Sequence, residues 1–246
     1  MSKILERGET GFGILIEADA GYVSKDLNPS LLTEGFVLKP DEPVLINCIL
    51  QKWGIENKNG RIYPKEVLVP QVNEYQQLVD TNSAVSEADH PDSSVVSLHN
   101  ISHLIKKIWW GEGEKENILY GQLEIITSPA YMREGVVSMV GDKIVEYLKR
   151  GIRLGISSRG VGSLKESNGK NIVQNDFELI CFDLVASPST PGAFLFPDSN
   201  EMQVGENKTT SGNIISTAWV GDGKEKLISL SENNIKVIDA INKFLI

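Results

Sequence analysis

At 246 residues and a formal net charge of −9, the chain suits one large domain or one domain with an appendage, and it has no long basic run of the kind that marks a nucleic-acid surface. Its composition, 41% hydrophobic and 23% charged, is that of a soluble globular protein with a real core, and no apolar run approaches the ~20 residues of a membrane helix. The N-terminus, MSKILERGETGFG, lacks the apolar stretch and small-residue cleavage site of a secretory signal. Cys48 and Cys181 lie far apart in apolar runs, INCIL and LICFD. They read as two buried free thiols in a reducing compartment, rather than as a disulfide or a catalytic thiol.

In chain order, residues 1–42 are mixed, with loop signals at Gly8, Gly11, Gly13 and the KPDEP run. Val44–Trp53 is apolar and β-branched and reads as a buried strand. Asn59-Gly60 signals a turn, and Pro64 stands where a helix can start. Leu68, Val72, Tyr75 and Val79 then recur at helical spacing, with Pro70 either in the early turns or marking a break. His103–Trp110 and Ile118–Ile126 flank the polar GEGEKEN, a hairpin signature. Gly135–Gly151 reads as the clearest helix, with Val137, Val140, Ile144 and Leu148 on one face and Gly151 as its cap. Leu154–Ser163 reads as a strand, and Asn171–Pro188 as strand throughout. Asn200–Asn213 is polar and linker-like, and Ile235, Ile238, Ile241 and Leu245 suggest a short amphipathic helix. About six strands against two or three helices point to an α+β, β-rich barrel or sheet with helices packed outside. The expected division is a domain over 1–198, with its core at about 44–197, and a tail over 199–246.

Histidine is scarce: His90, His99 and His103 are the whole supply. His90 lies in SEADHPD, among Glu87, Asp89 and Asp92, and Pro91 keeps it out of a helix interior. An imidazole held in a loop beside carboxylates suits a general base, though the same pattern fits an exposed turn histidine. His99 and His103 are four apart, the spacing of zinc ligands on a helix. The acid of HExxH is missing and the following IKKIWW reads as strand, so polar residues at the start of a strand explain them more simply. No metal is assigned. GISSRGVG lacks the P-loop lysine, GETGFG lacks the strand–helix frame of a dinucleotide site, and the GxSxG elbow is not met around Ser157.

A serine in SSRG needs a base to be nucleophilic, and backbone donors for the oxyanion. The glycines after it let backbone approach a substrate closely. Arg159 adds positive potential or pairs with an acid. Strand alternation sets Ile156 and Ser158 on one face and Ser157 and Arg159 on the other. Asp183 interrupts the apolar run ICFDLVA; buried, it needs a partner, while an outward-facing aspartate on a half-exposed strand is equally compatible.

Taken in order, GRIYPKEV, ADHP, IWWGE, GISSRGVGSL and FELICFDLVASPSTPGA, from about Leu45 to about Pro197, resemble the prohead core proteases of tailed bacteriophages, closest to the T-even myovirus type. The resemblance implies a serine endopeptidase with the fold of the herpesvirus assembly proteases, a β-barrel surrounded by helices. It sets the family's histidine on His90 and its nucleophile on Ser157, the first of the pair. Asp183 stands at the place of the third member. Herpesvirus relatives carry a second histidine there, and none follows His103 in this chain, so Glu87 is the alternative orienter. Ser158, Arg159 and Gly160 would support the oxyanion. No cofactor is implied. The implied substrates are scaffold (core) and capsid proteins, cut inside the prohead in the host cytoplasm during capsid maturation; a homo-oligomer is left open, and no nucleic acid or membrane span is implied. Enzymes of this type are similar in cutting after glutamate with an aliphatic residue two places upstream. Leu15-Ile16-Glu17, Leu32-Thr33-Glu34 and Leu230-Ser231-Glu232 fit that pattern and mark Glu17, Glu34 and Glu232 as candidate self-cleavage points. Three rivals stand beside this reading: a catalytically inactive scaffold or capsid protein with the same fold, a different hydrolase or a metal-dependent enzyme using His90, His99 and His103, and a plain binding module.

Overall fold

A computed structural model describes residues 12–16, 40, 42–195 and 213–215. The run VLINCILQK forms strand β2 (Val44–Lys52), buried along nearly its whole length. Such a run can be continuous in hydrophobicity because both of its faces are covered. β2 pairs antiparallel with β6 (Ile118–Ile125), and β6 pairs antiparallel with β5 (Ile101–Trp110), which confirms the expected hairpin. β4 (Val85–Glu87) closes one edge on β5. The short β10 (Asn213–Ile215) lies parallel to β2 at the other edge, giving the order β10–β2–β6–β5–β4.

The second sheet is organised by β7 (Gly155–Ser167), thirteen residues long. β9 (Glu178–Val185) pairs with residues 155–161 of β7, and β1 (Phe12–Ile16) pairs with 159–163. The shared residues 159–161 require β1 and β9 to lie on opposite edges. β8 (Lys170–Val173) pairs with the far end of β7 and carries β3 (Arg61–Ile62) beyond it. Isolated bridges join the sheets: Ala88 to Leu184, Cys48 to Leu195 and Gly155 to Phe194. Among the described residues the fold is thus mixed α+β and strand-rich, with two five-stranded sheets rather than one closed ring. One core spans both, including Ile46, Cys48, Leu50, Ile105, Leu123, Ile156, Phe182 and Leu184.

Helix α1 (Lys65–Asp80) runs unbroken through Pro70, which is exposed. It buries Val67, Leu68, Val72, Tyr75 and Val79. Burying one such side chain is worth about 2 kcal/mol, so this stripe rather than helix propensity holds α1 in place.

Two expected elements are corrected. The helix read over Gly135–Gly151 is shorter and has a neighbour. α2 (Pro129–Glu134) opens on Ser128, whose hydroxyl accepts from the Tyr131 N–H, and ends at Gly135 in the left-handed region at φ 74°. Gly135 therefore stops one helix instead of starting the next, and Val137 is exposed. α3 covers Val140–Lys149. Its end is as expected: Gly151, at φ 73°, donates to Leu148 O, and Ile152 donates to Tyr147 O, a Schellman pair. The strand read over Asn171–Pro188 is two strands, β8 and β9, broken at Gln174–Phe177. A two-residue turn at Asn168 (φ 53°) and Gly169 (φ 75°) joins β7 to β8. The amphipathic helix read over 235–245 lies outside the described residues.

Asp142 locks the α2–α3 junction. Its carboxylate accepts from the N–H groups of Ser128, Ser138 and Met139 and from the Ser128 hydroxyl, all at 2.8–2.9 Å. Burial alone would raise its pKa, but these donors hold it below the ordinary carboxylate value. A depressed folded pKa contributes stability that is complete above the unfolded value, near ~4, and is lost as pH falls through the folded one. Asp142→Ala is expected to cost about 3 kcal/mol in chemical denaturation at neutral pH. Asp142→Asn is expected to flatten the loss of stability below pH ~4, and an unchanged acid slope would remove this role.

Candidate active site

β7 and β9 build the floor of the site. Their register sets Ser157 opposite Asp183 and Arg159 opposite Cys181, so all four side chains share one face of the sheet, as alternation along β7 requires. His90 reaches that face from the loop after β4. The loop is pinned at its start: Ala88 bridges to Leu184, the Asp89 N–H donates to Leu184 O at 2.8 Å, and Asn100 Nδ2 donates to Ala88 O. Asp89 adopts φ 63°, a left-handed turn that aspartate tolerates.

His90 Nδ1 meets Asp183 Oδ2 at 2.7 Å, with both side chains almost wholly buried. Asp183 is saturated on its other sides. Its Oδ1 accepts from the Glu87 N–H at 3.0 Å, from Arg159 Nη2 at 3.3 Å and from the Cys181 thiol at 3.3 Å. Arg159 Nε approaches Oδ2 at 2.9 Å as an ion-pair contact. The Arg159 guanidinium is fully buried, and it also donates through Nη2 to Glu87 Oε2 at 2.5 Å and through Nη1 to Ser93 O at 2.8 Å. Burial would raise the Asp183 pKa, but the bond from His90, the Arg159 charge and the Glu87 N–H hold it below the ordinary carboxylate value. Asp183 is therefore an ionised acceptor that fixes the His90 ring. His90 Nε2 is buried without a hydrogen-bond partner among the described residues.

Ser157 and Ser158 part company. Ser157 lies across from Asp183, and Ser158 turns to the opposite face, where its hydroxyl accepts from Gln51 Nε2 at 2.9 Å. Gln51 Oε1 in turn accepts from the Thr190 hydroxyl at 2.6 Å, so Ser158 ties β7 to β2 and to the segment after β9. At Gly160 any Cβ would lie 2.4 Å from the Phe177 ring and 2.6 Å from Glu178 O, so the position is closed to every other residue. A bulge in the β7–β9 ladder falls between Arg159 and Gly160. Glu87, weighed as an orienter, spends its carboxylate on Arg159; Asp183 is the acid that touches His90.

The three histidines do not gather. His103 is buried in the core, with Nδ1 on the Ser102 hydroxyl and Nε2 on Phe182 O, both at 2.8 Å. Burial pushes its pKa down to about 4, so it is neutral. His99 sits on a turn at Leu98–Asn100. Among the described residues no cluster of three or more metal-ligating side chains occurs. Glu17, Glu34 and Glu232 lie outside the described residues. The Ser93 carbonyl, Gln51 and Thr190 had no sequence signal, since each meets its partner across a separation of 66 to 139 residues.

The chain belongs to the prohead core protein serine proteases: the family model matches residues 15–205. It is accordingly a protease of the serine type. It is 34% identical over 178 residues to the prohead core protein protease of Enterobacteria phage T4, a match covering 71% of this chain and 77% of that protein. Its fold is similar to that of the bacteriophage T4 capsid assembly protease, with a TM-score of 0.54 and 24% identity over 71% of this chain and 98% of that one.

Removing the buried cation should be costly. Arg159→Met leaves Glu87 and Asp183 facing each other without compensation and is expected to cost about 3–5 kcal/mol in chemical denaturation. Combining it with Glu87→Gln is expected to recover part of that loss; a double variant as unstable as the sum of the singles would argue against the pair.

Proposed function

We propose that this protease cleaves scaffold (core) and capsid proteins inside the prohead during head maturation, with Ser157 as nucleophile, His90 as general base and Asp183 as the group that orients His90. The observation that carries the site assignment is the 2.7 Å contact of His90 Nδ1 with Asp183, on a strand where Ser157 stands directly across from Asp183. Side chains in such a cross-strand pair have Cβ atoms about 5 Å apart, which supports a reading in which the imidazole held by Asp183 serves the Ser157 hydroxyl. The names of the T4 relatives support the prohead setting.

In this reading Asp183 accepts from His90 Nδ1–H and leaves Nε2 as the acceptor for the serine proton. Ser157 Oγ attacks the scissile carbonyl carbon while His90 takes its proton. The imidazolium that forms faces Asp183, and the ion-paired Glu87 and Arg159 leave this cluster one negative charge to balance it. Collapse of the tetrahedral adduct breaks the C–N bond, and His90 gives the proton to the leaving amine. Water then repeats the sequence on the acyl-enzyme. Backbone N–H groups at the Arg159–Gly160 bulge supply the oxyanion donors. The Arg159 side chain acts as the holder of Asp183 and not as a donor to substrate. Ser158, bound to Gln51, supports the strand.

Cleavage after glutamate with an aliphatic residue two places upstream, and self-trimming at Glu17, Glu34 and Glu232, belong to the same proposal. So does kinship with the herpesvirus assembly proteases: the bridges at Ala88, Cys48 and Gly155 are where two sheets would join into a barrel. Residues 1–198 would form the catalytic unit, working within the prohead in the host cytoplasm.

Ser157→Ala is expected to lower cleavage of a peptide with an aliphatic-x-Glu sequence at least about 10³-fold while leaving the folded state intact, and Ser158→Ala is expected to keep most of the activity. Asp183→Asn is expected to lower kcat by about 10³- to 10⁴-fold with little change in KM. Full activity in Ser157→Ala would remove Ser157 as the nucleophile.

A further inference from the structure

The connection from β4 to β5 is tied at its own ends. The Ala88 N–H donates to Asn100 O at 3.3 Å, and Asn100 Nδ2 donates to Ala88 O. Residues 89–99 between them form an Ω-loop, a surface loop with closed ends. His90 stands near its start, and its middle is fastened to the site. The Ser93 carbonyl accepts from Arg159 Nη1 at 2.8 Å, on the same guanidinium that holds Asp183. The Ser93 hydroxyl then fixes the next turn, accepting from the Val95 N–H at 3.0 Å and donating to Val95 O at 3.2 Å. Beyond it the Asn100 N–H donates to Ser97 O at 3.0 Å.

This loop holds two apolar side chains out to water. Val95 is 70% exposed and Leu98 81%, the highest values of any large apolar side chain among the described residues. A lone apolar side chain on a surface asks for no explanation. These two stand on the loop that carries the general base. We propose that Val95 and Leu98 form an apolar rim of the cleft and read the substrate's aliphatic side chain two places upstream of the scissile bond. The proposal rests on the reading of Ser157 as nucleophile and of aliphatic-x-Glu as the cleaved sequence.

Spacing and chemistry support it. Arg159 lies two residues along β7 from Ser157 on the same face, a separation of about 7 Å. Ser93 moors the loop at that level. An extended substrate has the same pitch, with side chains two apart pointing the same way and standing about 7 Å from each other. A peptide with its scissile carbonyl at Ser157 therefore sets the side chain two places upstream as far from the nucleophile as the loop's mooring on Arg159. The run Ser93–Leu98, SSVVSL, carries no charge in a chain of net charge −9. It offers nothing to a glutamate side chain, whereas contact with an aliphatic one removes apolar surface of both partners from water. The closed ends and the Ser93 bonds leave the tip little freedom to lose when a substrate binds.

Three peptides that differ at one position, Leu-x-Glu, Ala-x-Glu and Glu-x-Glu, test this on the full chain. The wild type is expected to favour the Leu peptide over the Ala peptide about tenfold or more in kcat/KM. The double variant Val95→Ser, Leu98→Ser is expected to erase that preference. Leu98→Lys is expected to raise kcat/KM for the Glu-x-Glu peptide above its wild-type value, a gain that a merely structural role for the loop would not give. An unchanged Leu-to-Ala ratio in the double variant, or a Leu98→Lys protein without that gain, overturns the rim and leaves the role of Ser157 standing. A wild type that cuts the Leu and Ala peptides equally overturns the aliphatic requirement and the rim with it. A Ser157→Ala protein that still cuts overturns the nucleophile, and the peptide ratios still decide the rim.

Discussion

The buried guanidinium of Arg159 is the constraint on which the rest of the site depends. It lies between the carboxylates of Glu87 and Asp183 and also reaches the Ser93 carbonyl, so one side chain fixes β4, β9 and the loop that carries His90. Taking three charges out of water costs several kcal/mol for each, and their mutual attraction repays it only with close geometry and saturated hydrogen bonds. That condition is met by contacts of 2.5 to 3.3 Å and by the Glu87 N–H and Cys181 thiol on Asp183. The result is less a source of stability than of position. A carboxylate held on every side cannot rotate away from His90.

The same arrangement explains why two adjacent serines are not interchangeable. In a strand the side-chain period is two, so a shift of one residue exchanges the faces. On one face of β7 lie Ser157 and Arg159, on the other Ser158 with its partner Gln51. Gly160 then yields its Cβ space to Phe177, which keeps the bulge after Arg159 close to the next strand. A polar pair that looks redundant in the sequence divides into a residue that faces the histidine's carboxylate and a residue that ties two sheets together.

Much of this was legible from local pattern. α1 follows from periodicity, because its buried face repeats at 3.6 residues, and the β5–β6 hairpin follows from two apolar runs that flank a polar turn. Asp183 announced itself as an acid inside an apolar strand, and alternation put Ser157 and Arg159 on one face. What escaped was set by punctuation or by distance. Asn168-Gly169 carried a readable hairpin signal that splits β7 from β8, and Gly135 was read as a start where its left-handed conformation makes it a stop. α2 is only six residues long, too short for a period to show. Arg159 had two open roles, and only the three-dimensional meeting of residues 72 and 24 positions away assigns its charge to Glu87 and Asp183.

The central claim is that the Arg159-held Asp183 presents His90 to Ser157 and to no other hydroxyl. Labelling the native protein with a fluorophosphonate, which reacts with serines only when they are activated, and mapping the adduct by peptide mass spectrometry tests this directly. The account predicts a single stoichiometric adduct on Ser157. An adduct on Ser158, or a fully folded protein that takes up no label, would contradict it.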